Sequence, residues 1–333
     1  MERVGLIFLD RPSLAEQVEL VRYAEERGFE SAWACETRLA RDAMTPLAAF
    51  AQATSRIRLA TGVVNNWTRT TGLMAMTLAT LHELSGGRVT LGIGAYWDPL
   101  ARNQGIRRRR HLAAMREYVT VVRRLLNMET VDLDGEVVKV QELRLDLGEG
   151  IPREPISVPI YIGATGPRML EVAGEIGDGI FHNFFTSVSY LRQSIQWVEV
   201  GARRAGRSMG EIDMPQMLAV AMSDDVEYAR NVARHDVTMY LGQQPHIGKA
   251  SGVPEEVIQS VHDAMGGWPP REGGIEEAMS LVGDDIVDLL SAAGTPDMCR
   301  ARVHEYVDAG ASYPVLCPLT PNIREIIDAF APD

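Results

Sequence analysis

The chain has 333 residues, room for about two domains at a nominal ~150 residues each, or for one (β/α)8 barrel, which alone takes ~250. With 46% hydrophobic and 23% charged residues and a mean hydropathy of -0.08, it is expected to be an ordinary soluble globular protein with a sizeable core. The formal charge of -12 argues against a nucleic-acid backbone as partner, because that ligand needs a clustered basic surface.

Residues 4–9 are a continuous apolar run of strand length. Ser13 then caps a helix whose apolar positions Leu14, Val18, Val21 and Ala24 recur at helical spacing until Gly28. Residues 31–35 read as a second strand followed by a helix over 45–54. A third strand at 57–64 leads to a helix over 72–84, and a fourth at 88–93 leads to one over 110–126. Between 131 and 147 the pattern changes to short alternating strands around Asp134-Gly135, a hairpin signal and an insertion. The alternation resumes with a strand at 159–162 and a helix over 167–173, then a strand at 179–181 and a helix over 188–205. A seventh strand over 212–222 precedes a helix over 224–241. Residues 242–285, with Gly, Pro and short helical pieces such as 254–265, read as a second insertion. The short stretch 291–294, a capped helix over 295–309, a strand at 313–317 and a helix over 322–330 complete the chain.

Eight buried apolar strands, each followed by helix, imply a parallel sheet, and a (β/α)8 TIM barrel is its simplest closure. A doubly wound sheet usually brings a GxGxxG fingerprint, which this sequence lacks; it also lacks a P-loop and any low-complexity linker.

Other classes are disfavoured by residue type. The longest apolar run, 4–9, is far short of the ~20 residues of a spanning helix, and Met1-Glu2-Arg3-Val4 has no signal-peptide layout, so a cytoplasmic protein is expected. The three cysteines, Cys35, Cys299 and Cys317, are widely spaced and imply free thiols. Lys139 and Lys249 are the only lysines and lie away from the strand ends, which disfavours a Schiff-base aldolase. The seven histidines form no HxH or HExxH pair, so no metal site is expected.

Barrel sites are built where strands end at their C-termini, which draws attention to Asp10, Glu36, Thr37, residues 64–69, 94–98, 163–168 and 182–185, Ser223 and residues 318–320. Glu36 with Asp98 would suit a glycosidase, but an aromatic fraction of 6% is low for stacking sugars. In Gly163-Ala164-Thr165-Gly166-Pro167-Arg168 the glycines admit a ligand close to the backbone. Pro167 suits a first helical turn, whose free N–H groups attract an anion. This reads as a phosphate cradle, although an ordinary tight turn uses the same residues. Gly62, at the end of the third strand, marks either a simple bulge or a close ligand approach.

Several segments together carry a family resemblance: Ala79-Thr80-Leu81-His82-Glu83-Leu84-Ser85-Gly86-Gly87-Arg88 leading into Leu91-Gly92-Ile93-Gly94, then Tyr161-Ile162-Gly163-Ala164-Thr165-Gly166-Pro167, Ala173-Gly174-Glu175-Ile176-Gly177-Asp178-Gly179 and Gly294-Thr295-Pro296-Asp297. The chain resembles the bacterial-luciferase-like superfamily, and within it the branch similar to methylenetetrahydromethanopterin reductase, whose members use the deazaflavin coenzyme F420. The resemblance runs from Gly5 to Phe330. It implies one luciferase-like TIM-barrel domain over 1–333 with insertions near 131–147 and 242–285, a homodimer, a small-molecule substrate, and neither membrane nor nucleic acid as partner.

Carried over by position, Gly62-Val63 is the expected non-prolyl cis peptide behind the cofactor ring. Gly163, Ala164 and Gly166 are backbone donors to its phosphate, Thr165 a hydroxyl donor, and His182, Asn183 and Asp98 further lining. Many relatives carry Asp-His after the second strand; here the pair is Glu36-Thr37, so Glu36 is the candidate catalytic acid/base or ring-contacting carboxylate. Relatives that oxidise sugar phosphates have a glutamate where this chain has Ala95, which disfavours a glucose-6-phosphate dehydrogenase. Arg107-Arg108-Arg109-Arg110-His111 opens the fourth helix against the macrodipole and reads as a solvated basic face, with an anion site as the alternative. Tyr96, Trp97 and Trp67 are expected to wall the pocket.

The resulting expectation is an oxidoreductase that exchanges a hydride between coenzyme F420 and a small organic substrate bearing a C=N, C=C or C=O/alcohol function. The alternative is an FMN-dependent luciferase-like monooxygenase, and a third reading is a barrel that binds cofactor without turnover.

Overall fold

The computed structural model describes residues 2–332. Its strands are β1 (Gly5–Phe8), β2 (Ser31–Ala34), β3 (Arg58–Thr61), β4 (Val64–Asn65), β5 (Val89–Gly94), β6 (Val131–Asp134), β7 (Lys139–Leu143), β8 (Ile160–Gly163), β9 (Gly179–Phe181), β10 (Gln216–Met222), β11 (Ala292–Gly294) and β12 (Pro314–Pro318). Its helices are α1 (Leu14–Glu26), α2 (Met44–Ala53), α3 (Thr71–Ser85), α4 (Asp98–Asn103), α5 (His111–Leu126), α6 (Pro167–Ile176) and α7 (Val188–Arg204). They continue with α8 (Val226–Gln243), α9 (Pro245–Ala250), α10 (Glu255–Met265), α11 (Gly274–Met279), α12 (Asp284–Leu290), α13 (Pro296–Asp308) and α14 (Ile323–Phe330).

All eight expected strands lie in one curled parallel sheet, in the order β11-β10-β12-β1-β2-β3-β5-β8-β9, with β4 alongside β5. The segment before β10 touches β9 through two parallel bridges, Gly179 to Asp213 and His182 to Gln216. Consecutive residues of each strand bury against different surroundings. Ile7, Trp33, Phe181 and Met217 pack inside the curl, where Trp33 stacks on Phe181 at 4.2 Å, while Leu6, Ala32, Ile180 and Leu218 pack under the helices. Short polar side chains start the helices: Ser13, Thr70, Ser187, Asp225 and Thr295 each accept from a first-turn amide.

Four differences from the sequence reading have local causes. The third strand is interrupted: from the pair Ala60/Thr90 to the pair Val64/Ile93 the chain advances four residues on one side against three on the other. That extra residue is a bulge, and its Gly62–Val63 peptide is cis. The seventh strand starts at Gln216 rather than at 212: Pro215 has no N–H to give the ladder, and Asp213 pairs only through an isolated bridge to Gly179. Helix α4 has only six residues, too few to show a helical period. The stretch near 291–294 supplies β11, which pairs with the end of β10.

Both insertions fold. Strands β6 and β7 form the expected antiparallel hairpin, and α9 to α12 cover α8 through an apolar cluster that includes Val237, Leu241, Val261, Met265 and Val287.

The Ser85-Gly86-Gly87-Arg88 motif is a latch. Gly86 and Gly87 take left-handed φ of 66° and 87°, which turns the chain so that the Arg88 guanidinium reaches the carbonyls of Ser85, Ile57, Ala51 and Thr54 at 2.7–3.1 Å. One side chain thus satisfies the orphan carbonyls at the end of α2 and ties them to β3.

Candidate active site

The C-terminal ends of the strands open on one cavity of about 2120 Å³. A site for one small ligand spans ~300–1,000 Å³, so this mouth has room for two ligands side by side.

The bulge shapes half of it. Where β3 leaves the ladder, the Thr61 hydroxyl replaces the missing backbone bonds, donating to the Gly92 carbonyl at 2.7 Å and accepting from the Gly92 amide at 2.8 Å. A Cβ on Gly92 would lie 1.9 Å from the Thr61 carbonyl oxygen, which is why that strand position is glycine. The bulge pushes Val63 across the neighbouring strand ends. Its methyls lie 3.0 Å from where a Cβ would stand on Gly94 and on Gly163. Three adjacent strand ends therefore meet the cavity as backbone plus one branched side chain.

The turn after β8 continues this surface. Gly163, Ala164, Thr165 and Gly166 all line the cavity at the start of α6, as do Gly62 and Val63. Tyr190 donates its hydroxyl to the Thr165 carbonyl and braces the turn, and around Gly166 nothing stands within 4 Å of a Cβ position.

Glu36 lines the cavity after β2. Both its oxygens accept from the Arg69 guanidinium, at 2.8 and 2.9 Å, and neither side chain is more than 18% exposed. Tyr118 donates to the Arg69 carbonyl at 3.0 Å and holds that residue in place; burial pushes the Tyr118 phenol upward. Paired with Glu36, Arg69 is raised above the usual arginine range.

Asp98 lines the cavity as the first residue of α4 and pairs with Arg102 at 2.9 Å and Arg108 at 3.1 Å. Arg108 is no part of a solvated basic face. Only 12% of its side chain is exposed, and it grips the carbonyls of Ala95 and Tyr96 as well as Asp98. Arg110 pairs with Glu136 on the turn that joins β6 to β7.

Two expectations are corrected. His182 does not line the cavity; it is 2% exposed, its Nε2 has no hydrogen-bond partner, and burial pushes it down to about 4. Its backbone pairs with Pro215 and Met217, so the side chain faces away from the mouth while Asn183, one residue on, faces into it. Trp67 also lies outside the cavity, edge-on to His111 and donating to the Ala95 carbonyl at 3.2 Å, while Tyr96 and Trp97 line it.

Arg69 fell within the strand-end segment 64–69 and Arg108 within the arginine run, but neither was singled out by the sequence, and Tyr240, on the ordinary apolar period of α8, escaped it altogether.

The fold and this mouth together define a class: an α/β protein whose ligand site is assembled from the C-terminal ends of parallel strands and half floored by backbone. The chain belongs to the luciferase-like monooxygenase family, whose model matches residues 3–313. It is 30% identical over 333 residues to a 5,10-methylenetetrahydromethanopterin reductase of Archaeoglobus fulgidus, covering 98% of this chain and 96% of that one. It is 29% identical over 327 residues to the enzyme of the same name from Methanolobus tindarius, covering 97% and 96%. Among solved structures it is similar to the coenzyme F420 dependent tetrahydromethanopterin reductase of Methanopyrus kandleri, at a TM-score of 0.87 and 26% identity over 98% of this chain and 96% of that one.

Proposed function

We propose that the protein is an F420-dependent oxidoreductase that moves a hydride between the deazaflavin and a small organic substrate with a C=N, C=C or C=O/alcohol function. The observation that carries this reading is the glycine floor: Val63 displaced by the bulge onto Gly94 and Gly163, opening a flat backbone surface beside a helix N-terminus. Likeness along nearly the whole chain to two 5,10-methylenetetrahydromethanopterin reductases and to a solved structure named as coenzyme F420 dependent supports it.

The donor set fits an extended ligand with an anionic end. Gly163, Ala164 and Gly166 would hold its phosphate through backbone N–H groups, with Thr165 adding a hydroxyl. Gly62 and Val63 would back the ring, and Asp98 and Asn183 would line its edges. When bound, the coenzyme supplies or accepts the hydride. The chain supplies position. Glu36, with both oxygens engaged by Arg69, acts in this reading as a fixed negative charge facing the cavity rather than as a mobile acid.

In this reading the sheet is a closed (β/α)8 barrel forming one domain, a closure supported by the bridges from β9 to the segment before β10. The protein is a homodimer, supported by exposed apolar side chains on α3, where Leu73, Met76 and Leu84 are 44%, 54% and 39% exposed. Among the described residues no helix is long and apolar enough to cross a membrane.

Equilibrium titration of the purified protein with F420 and, separately, with FMN tests the cofactor. Binding of F420 with hydride transfer in a ketone, imine and enone screen is expected; FMN binding with oxygen uptake and no F420 binding overturns the reading.

A further inference from the structure

The mouth divides along the sheet order. The neighbouring ends of β3–β4, β5 and β8 present backbone, whereas the rest of the mouth presents side chains, among them Phe184 after β9, Met217 near the start of β10, Cys317 and Leu319 at the end of β12 and Cys35 after β2. These five are soft and apolar, and Asp10 and Glu36 line the same cavity. Above them, from α8, hangs Tyr240, which is 7% exposed and packs its ring against Phe184 at 5.0 Å and Phe185 at 5.2 Å. It lines the same cavity.

The hydrogen bonds fix which way its hydroxyl works. Asn183 Oδ1 accepts from the Phe184 amide at 3.0 Å, so the side-chain amine of Asn183 is the end that faces Tyr240, and it donates to the phenol oxygen. The backbone beneath is anchored, because the Asn183 carbonyl accepts from Gln216 Nε2 at 2.7 Å and from the Thr186 hydroxyl at 3.0 Å. The phenol oxygen is therefore an acceptor toward the protein, and among the described residues its own hydrogen has no protein acceptor. Burial pushes the phenol upward, so that hydrogen stays on across the working pH range. A buried tyrosine normally finds a partner for its hydroxyl; here the open direction is the cavity.

We propose that the Tyr240 hydroxyl, presented by Asn183, donates a hydrogen bond to an oxygen or nitrogen on the substrate's reacting carbon, and so selects a ketone, imine or corresponding alcohol or amine whose flanking groups are apolar. The proposal rests on the hydride-transfer reading. When a hydride adds to such a carbon, a C–H bond forms, the π bond breaks, and its electron pair settles on the heteroatom, which takes a proton that solvent finally supplies. A preoriented donor favours that charge as it develops. The side-chain half of the mouth then takes the apolar substituents.

The test uses two probes of the same shape, cyclohexanone and methylenecyclohexane, titrated into the F420-loaded protein and into the cofactor-free protein. Tyr240→Phe is expected to weaken cyclohexanone about tenfold and to leave methylenecyclohexane within about twofold. Asn183→Leu, which keeps the phenol but removes its anchor, should lose part of the same discrimination. Equal weakening of both probes, unchanged cyclohexanone affinity in Tyr240→Phe, or no binding of cyclohexanone to the wild-type protein overturns the proposal. If F420 fails to bind while the cofactor-free protein still discriminates between the probes through Tyr240, the cofactor reading has failed and the Tyr240 assignment stands. Circular dichroism on each variant keeps misfolding apart from loss of the donor.

Discussion

Charging the buried His182 should cost this fold a substantial part of a typical margin of stability, ~5–15 kcal/mol. Its ring is 2% exposed and burial holds it down to about 4, against an ordinary 6.5. Between those values the unfolded chain binds a proton that the folded chain refuses, so stability rises with pH across the window and is lost as pH falls through it. The gap from 6.5 to about 4, at ~1.36 kcal/mol per pH unit, is about 3 kcal/mol in full, with about 2 kcal/mol already lost by pH 5. Carboxylates titrate over part of the same range, so the comparison must be with His182→Gln, which keeps the polarity and removes the titration. Urea unfolding of both proteins at pH 7.5, 6, 5 and 4.5 should show wild type losing about 2 kcal/mol or more relative to the variant by pH 5. Parallel pH profiles would refute the argument and mean that the ring stays hydrated or finds a partner.

Four further outcomes follow from contacts already described. Arg88→Lys should lower stability by ~2–4 kcal/mol, because an ammonium cannot fork to the carbonyls of Ser85, Ile57, Ala51 and Thr54; an unchanged thermal midpoint would contradict the latch. Gly163→Ala puts a methyl 3.0 Å from Val63 Cγ1, so F420 affinity should fall about tenfold or more in a fluorescence titration, and unaltered affinity would remove the glycine floor from the cofactor site. Glu36→Gln should leave F420 binding within a few-fold while slowing single-turnover hydride transfer about tenfold; wild-type rates would show that the charge on Glu36 plays no part. Met76→Glu, at a position 54% exposed on α3, should convert a dimer to monomer in light scattering, and an unaltered dimer would place the interface elsewhere.

Much of the chain was legible without its structure because strand and helix periods are local. The apolar run before Ser13, the hairpin around Asp134-Gly135 and the glycine-proline turn after β8 each declare themselves within about ten residues. What misled was also local. The alternation of side chains put His182 and Asn183 together in the sequence but on opposite sides of a strand. Trp67 reads as a pocket wall until Ala95 takes its indole N–H.

The sequence by itself determined the order of strands and helices, the likeness to the luciferase-like family, and the glycines that let backbone reach a ligand, since each depends on neighbours along the chain. Tertiary structure alone decided the side-chain pairings. Glu36 meets Arg69 from the next strand end, Arg108 folds back onto the loop of Tyr96, and Tyr240 arrives from α8 to meet Asn183. Those partners lie between ten and about sixty residues apart. No periodicity records such a meeting, because it is fixed by how the sheet curls and which helix covers its mouth.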